Sequence, residues 1–206
     1  MSVTLLTKRQ AQPGQAEAVV THVQRVIEAC LPHVLRHEPI RLFQATRDPT
    51  ILLTVSTWAS REAYRESTRG LDLSAIDALS TGPPERRFCQ RIKLYESVYE
   101  PVVAVSSILV DCPPPVRDTL ADYLTRESKE FVVAQPGCVL RVVYVDEDDP
   151  CTFFVLSGWS SLEAWQRFVG APVQAAREAI RVRGGRVERF VEGRTRAEVD
   201  PASLPV

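Results

Sequence analysis

The sequence predicts an α+β chain made of two ferredoxin-like repeats, each ordered β-α-β-β-α-β, whose sheets join as one eight-stranded barrel with pseudo-twofold symmetry. Three observations predict it. First, Trp58-Ala-Ser-Arg-Glu-Ala-Tyr64 recurs as Trp159-Ser-Ser-Leu-Glu-Ala-Trp165, at an offset of 101 residues. Second, the same offset carries Asp48-Pro49-Thr50 onto Asp149-Pro150-Cys151 and Phe43 onto Tyr144, and two separate matches at one offset mark a tandem duplication. Third, the split order puts both helices of a repeat on one sheet face, so the other face needs cover that a second sheet can supply. The expected boundaries are residues 1–100 for the first repeat, 101–194 for the second and 195–206 for a loose tail rich in proline.

The elements follow in the same order in each half. Val3 to Lys8 and Val102 to Val110 are β-branched, apolar runs that read as strands. Gln12-Pro13-Gly14 ends the first, and Pro113-Pro114-Pro115 ends the second, because proline removes a ladder donor yet suits a first helical turn. Val19, Val23, Val26, Ile27, Cys30 and Val34 then give a helical stripe, matched in the second half by Val116, Leu120, Tyr123, Leu124 and Phe131. Two strands turn at the Asp-Pro step in each half: Arg41 to Thr46 with Ile51 to Trp58, and Val139 to Val145 with Thr152 to Trp159. A helix opens after each tryptophan, where Ser160 and Glu163 have capping-box spacing, and Ala171 to about Val182 forms a further helical piece. Arg87 to Tyr95 and Arg186 to Glu192 are the closing strands.

Composition narrows the function classes. With a net charge of -1 the chain is not a basic nucleic-acid binder, and no run approaches the roughly 18 apolar residues of a membrane span. A cytoplasmic protein is expected, its five cysteines reduced, since they form an odd set without C-x-x-C or zinc-like spacing. There is no dinucleotide fingerprint, P-loop, nucleophile elbow or H-E-x-x-H pair. Asp146-Glu147-Asp148-Asp149 lacks calcium-loop spacing and overlays the hairpin turn of the first half, so no metal site is expected.

The candidate site residues concentrate in the first repeat. His22, His33 and His37 fall within an arc of about 60° on the first helix, beside the apolar stripe. They read either as a polar lip on a pocket, titrating near neutral pH, or as partly exposed helix residues next to Pro32. Leu52, Thr54, Ser56 and Trp58 share one strand face, where small residues beside a large aromatic leave room for a ligand; the second-half residues are Phe153, Val155, Ser157 and Trp159. The competing reading makes both tryptophans core anchors. Arg9, Arg41 and Arg91 are candidate partners for an acidic or phenolic ligand, or else solvated strand ends.

Both halves resemble the antibiotic biosynthesis monooxygenase family of the dimeric α/β-barrel superfamily. The residues that carry the resemblance are the Asp-Pro turn, the apolar strand ending in Trp58 or Trp159, and the W-x-S-x-E-A-aromatic helix start. Such proteins usually assemble the barrel from two chains, which the tandem supplies in one, and self-association of the tandem chain is a further expectation. Haem-degrading members resemble the chain at the tryptophan. They also use an Asn at the end of the first strand and a His ten residues past the Trp, where this chain has Thr7 or Lys8 and then Thr68 or Val169. Quinone-forming, cofactor-independent oxygenases of the family combine Trp with Asn, Tyr and Arg, and this chain contains no Asn. The resemblance therefore implies a monooxygenase without cofactor, acting on a small aromatic or phenolic molecule. His22 would be the base, Trp58 and Arg91 the donors, and Thr54, Ser56 and His33 further ligand contacts. The alternative is a non-catalytic barrel of the same family that binds a metabolite or a protein partner.

Overall fold

The computed structural model describes residues 2–30, 39–97 and 100–199. His33, Val34 and His37 lie outside the described residues. The chain divides into two compact units, one made of residues up to Cys89 together with those from Thr195, the other of Gln90–Arg194.

The first unit contains β1 (Val3–Gln10), α1 (Ala16–Cys30), β2 (Ile40–Ala45), β3 (Ile51–Trp58), α2 (Arg61–Thr68), α3 (Ser74–Ala78) and the start of β4 (Glu85–Glu96). The second contains the rest of β4, then β5 (Ala104–Asp111), α4 (Arg117–Asp122), α5 (Ser128–Val133), β6 (Cys138–Asp146), β7 (Thr152–Trp159), α6 (Leu162–Phe168), α7 (Ala171–Val182) and most of β8 (Arg186–Val199). Within the first unit β4, β1, β3 and β2 hydrogen-bond in that order, with the end of β8 beside β2; within the second the order is β8-β5-β7-β6, with the end of β4 beside β6. The β-α-β-β-α-β order expected of each half is thus present twice.

Local sequence explains the elements. In α1, Val19, Val23, Ile27 and Cys30 bury one stripe against Leu5, Leu42, Leu52 and Trp58, forming the core of the first unit. Full burial of such side chains stabilises by roughly 1.5–3 kcal/mol each. At the Asp-Pro turn, Asp48 Oδ1 accepts from the Thr50 amide at 3.0 Å, and Asp149 Oδ1 does the same for Cys151 at 3.0 Å. Asx bonds of this kind replace the ladder where the chain reverses. The acidic run is a turn as well, with Asp146 Oδ1 accepting from the Asp148 amide at 2.8 Å. Among the described residues no cluster of His, Cys, Asp and Glu could hold a metal, and no helix is long and apolar enough to cross a membrane.

Four expectations change. The cap of α6 is Ser161, not Ser160: its hydroxyl accepts from the Ala164 amide at 3.1 Å, as Ser60 does for Ala63 at 3.1 Å in α2. Phe131 is exposed and Val132 buried instead, because a π turn over Tyr123–Glu127 inserts one residue and rotates the stripe. A short helix, α3, appears between α2 and β4, where none was expected. The residues from Thr195 to Val199 are the end of β8 rather than tail, since Ala197 and Val199 pack on the first unit's core and Arg196 binds Glu17 at 2.6 Å.

Candidate functional site

A cavity of about 80 Å³ lies within the first unit, between its sheet and its helices. Strand alternation builds its floor. Thr54, Ser56 and Trp58 project from one face of β3, and the antiparallel register Leu5↔Ser56, Thr7↔Thr54 and Arg9↔Leu52 brings Leu5, Thr7 and Arg9 of β1 to that same face. Val23, Val26 and Ile27 of α1 supply an apolar wall, and Tyr64 of α2 and Ile76 of α3 complete it.

Within this apolar shell the polar groups are few. The Trp58 indole N–H donates to Ser56 Oγ at 2.9 Å. Tyr64 meets the Trp58 ring edge-on at 5.3 Å and Phe88 at 5.6 Å, and Arg61 covers the Phe88 face at 4.6 Å. Edge-to-face contacts of this type fix ring orientation. Arg9 is only 8% exposed, and its Nη1 donates to Asp77 Oδ1 at 3.1 Å, while Asp77 itself is 58% exposed. A buried cation whose counter-ion stands in water is incompletely neutralised, so it favours an anionic oxygen brought into the cavity. Arg86 also lines the cavity and is exposed. Burial pushes the Cys30 thiol up, so this wall residue stays protonated at neutral pH. The arrangement suits a flat apolar molecule carrying one negative oxygen.

Of the residues expected at the site, Thr54, Ser56 and Trp58 stand together in the cavity wall. His22 does not line it: it is half-buried on α1, about 90° round the helix from the face formed by Val23, Val26, Ile27 and Cys30. Arg91 is exposed on the part of β4 that belongs to the second unit. The grouping of His22 and Arg91 with Trp58 at one cavity is therefore corrected. Arg9 takes the place proposed for Arg91, and Tyr64 and Arg86 were not anticipated as lining residues. The signal for Arg9 was strand parity with Leu5 and Thr7, and Tyr64 was already part of the repeated motif.

The second unit has a smaller cavity, about 30 Å³, in which Val155 stands where the first unit has Thr54.

Fold and cavity together define a class: a tandem α+β protein in which each unit holds a cavity between its sheet and its helices. The chain belongs to the antibiotic biosynthesis monooxygenase family, whose model matches it twice, over residues 2–76 and 107–179. No curated protein shows detectable sequence similarity to it. Among solved structures, an anthrone oxidase-like protein is similar at TM-score 0.74 and 15% identity, with 98% of this chain and 94% of that one covered. A candidate monooxygenase from Lactobacillus acidophilus NCFM follows at TM-score 0.71 and 9% identity, with 98% of each chain covered. A heme-degrading enzyme from Listeria monocytogenes aligns at TM-score 0.53 and 9% identity, over 92% of this chain and 98% of its own. At these identities the likeness is one of fold.

Proposed function

We propose that the chain is a cofactor-independent monooxygenase whose first repeat binds a small phenolic aromatic as its anion. The observation that carries the reading is the 8%-exposed Arg9 guanidinium in a mostly apolar, aromatic-walled cavity. A cation there lowers the pKa of a bound phenol and stabilises the electron-rich anion that reacts with O₂. In the balanced reaction, one oxygen atom of O₂ replaces two hydrogens of an activated ring CH₂ to give a carbonyl. The other oxygen leaves as water with those two hydrogens. Thr7, Thr54 and Thr68 offer hydroxyls to orient the ring substituents, and Tyr64 and Trp58 set the plane of the slot.

The second reading, a non-catalytic binder, is favoured by one observation: the Trp58 indole N–H is already engaged with Ser56 rather than directed to a ligand. Oxygen uptake and absorbance, followed with anthrone, hydroquinones, phenols and haem in turn, separate the two. Turnover of a phenol or anthrone that Arg9→Met abolishes supports the oxygenase. Saturable binding of the same compounds without oxygen consumption supports the binder. Haem held by an axial histidine would refute both.

A further inference from the structure

The cavity of the second unit differs in chemistry as well as in size. A row of paired residues crosses its sheet: Glu192 of β8 faces Ser106 of β5, Ser106 faces Ser157 of β7, and Ser157 faces Arg141 of β6. All four are buried, and all four line the cavity. In the first unit, 101 residues earlier, the positions of Ser106, Ser157 and Arg141 are held by Leu5, Ser56 and Ile40. Phe88 pairs with Leu5 where Glu192 pairs with Ser106. A row with two charges therefore stands where the first unit has an uncharged row whose one polar member is Ser56.

The two charges of this row are treated unequally. The Glu192 carboxylate is neutralised by Arg177 at 3.3 Å and Arg189 at 3.2 Å. Arg141, 7% exposed, binds only neutral groups: its Nη1 donates to Ser157 Oγ at 2.9 Å and its Nη2 to Ser128 Oγ at 2.9 Å. Its Nε–H has no hydrogen-bond partner among the described residues, nor does a carboxylate pair with it there. Desolvation lowers its pKa to about 10, which still leaves it charged at neutral pH. A buried, unneutralised guanidinium costs several kcal/mol unless an anion joins it.

Backbone geometry has been shaped to the same place. Five residues of α-helix turn about 500°, which would leave Ser128 about 140° away from Tyr123. The π turn closes an i→i+5 bond from the Ser128 amide to the Tyr123 carbonyl, and both side chains line the cavity. Without the inserted residue, Ser128 would not reach Arg141.

We propose that the second unit's cavity is a binding site for a small carboxylate anion, of formate size, held by the Arg141 guanidinium. Arg is suited to this because the Nη–H groups it has left form a planar fork that matches a carboxylate. Size sets the upper limit. A water needs about 10–15 Å³ of such space, so 30 Å³ admits two or three heavy atoms. The site is independent of the phenol cavity and stands whether or not the first unit is catalytic.

Trp159 provides the readout, since its indole N–H donates to Ser106 Oγ in the cavity wall at 3.2 Å. The full chain, labelled with ¹⁵N, is titrated with sodium formate at ionic strength held constant by sodium sulfate, an anion too large for the cavity. The expected result is a saturable shift of the Trp159 indole N–H and of the Arg141 Nε–H. Arg141→Met weakens formate at least tenfold, and Arg141→Lys, which keeps the charge but not the fork, weakens it at least threefold. Arg126→Met, on the surface, leaves it unchanged. A shift that never saturates in the wild type overturns the proposal, as does equal affinity in wild type and Arg141→Lys. The second comparison stands even if Arg141→Met fails to fold.

Discussion

Trp58 and Ser56, two residues apart on one face of β3, are joined by an indole N–H···O bond of 2.9 Å. Its counterpart is made differently: Trp159 donates across strands to Ser106 of β5 at 3.2 Å, because Ser157 is held by Arg141. The repeats thus keep the tryptophan but exchange its acceptor. Ser56→Ala leaves a buried indole N–H without its partner, which costs about 1–3 kcal/mol. Urea unfolding measures this as a lowered midpoint at unchanged slope; an unaltered midpoint would mean that the bond contributes nothing.

Arg9→Met is expected to weaken binding of a phenolate to the first unit by roughly 10- to 100-fold, the worth of a charge-assisted hydrogen bond. Asp77→Asn should act in the opposite direction. It removes the carboxylate that competes for Nη1 at 3.1 Å, so binding tightens severalfold. Tryptophan fluorescence titration of both variants checks the pair, and parallel losses would mean that Asp77 only positions Arg9.

Gly137 has a φ of +82°, and a Cβ there would lie 2.6 Å from the Ala164 Cβ. Gly137→Ala therefore combines left-handed strain with a clash and should destabilise by about 2–4 kcal/mol. Gly14, with φ +78° but open space around it, offers the control. Gly14→Ala should cost only about 1–2 kcal/mol, the strain alone. Equal losses at the two sites would remove packing from the explanation.

Burial pushes the Cys138 thiol up to about 11, from an ordinary value of 9.0. The folded chain therefore keeps this proton where the unfolded chain releases it, and stability is fully present below pH 9. It falls as pH rises from there through 11, because unfolding then releases a proton. Arg141 acts in the opposite sense, but only above its own value of about 10. Denaturation midpoints between pH 8 and 10 should decline, and Cys138→Ala should flatten that decline. An unchanged slope in the variant would assign the loss to other groups.

What the sequence disclosed follows from what is local. The Asp-Pro turns, the serine-capped helices after Trp58 and Trp159, and the parity of β3 all rest on neighbours within a few positions. The π turn at Tyr123–Glu127 was illegible because its cause is tertiary: Ser128 is drawn to Arg141, and no residue in the turn advertises this. The end of β8 is hidden by the prolines that follow it, Pro201 and Pro205, and shows only when Arg196 and Glu198 are seen with their partners Glu17 and Arg41. His22 misled because apolar periodicity places a residue beside a stripe without saying how wide the cavity beneath it is.

The last strand also sets a timetable for synthesis. β2 has β8 as its outer neighbour in the sheet, and the residues from Thr195 belong to the first unit. A nascent chain therefore emerges with all four strands of its first repeat made and the edge of β2 open. That edge stays open until the residues from Thr195 leave the ribosome, which at about 5–20 residues per second is many seconds after β2. During that interval an unpaired edge is a template for the wrong partner. A chain stopped before Thr195 would keep nearly all of the second unit and yet leave the edge of β2 uncovered.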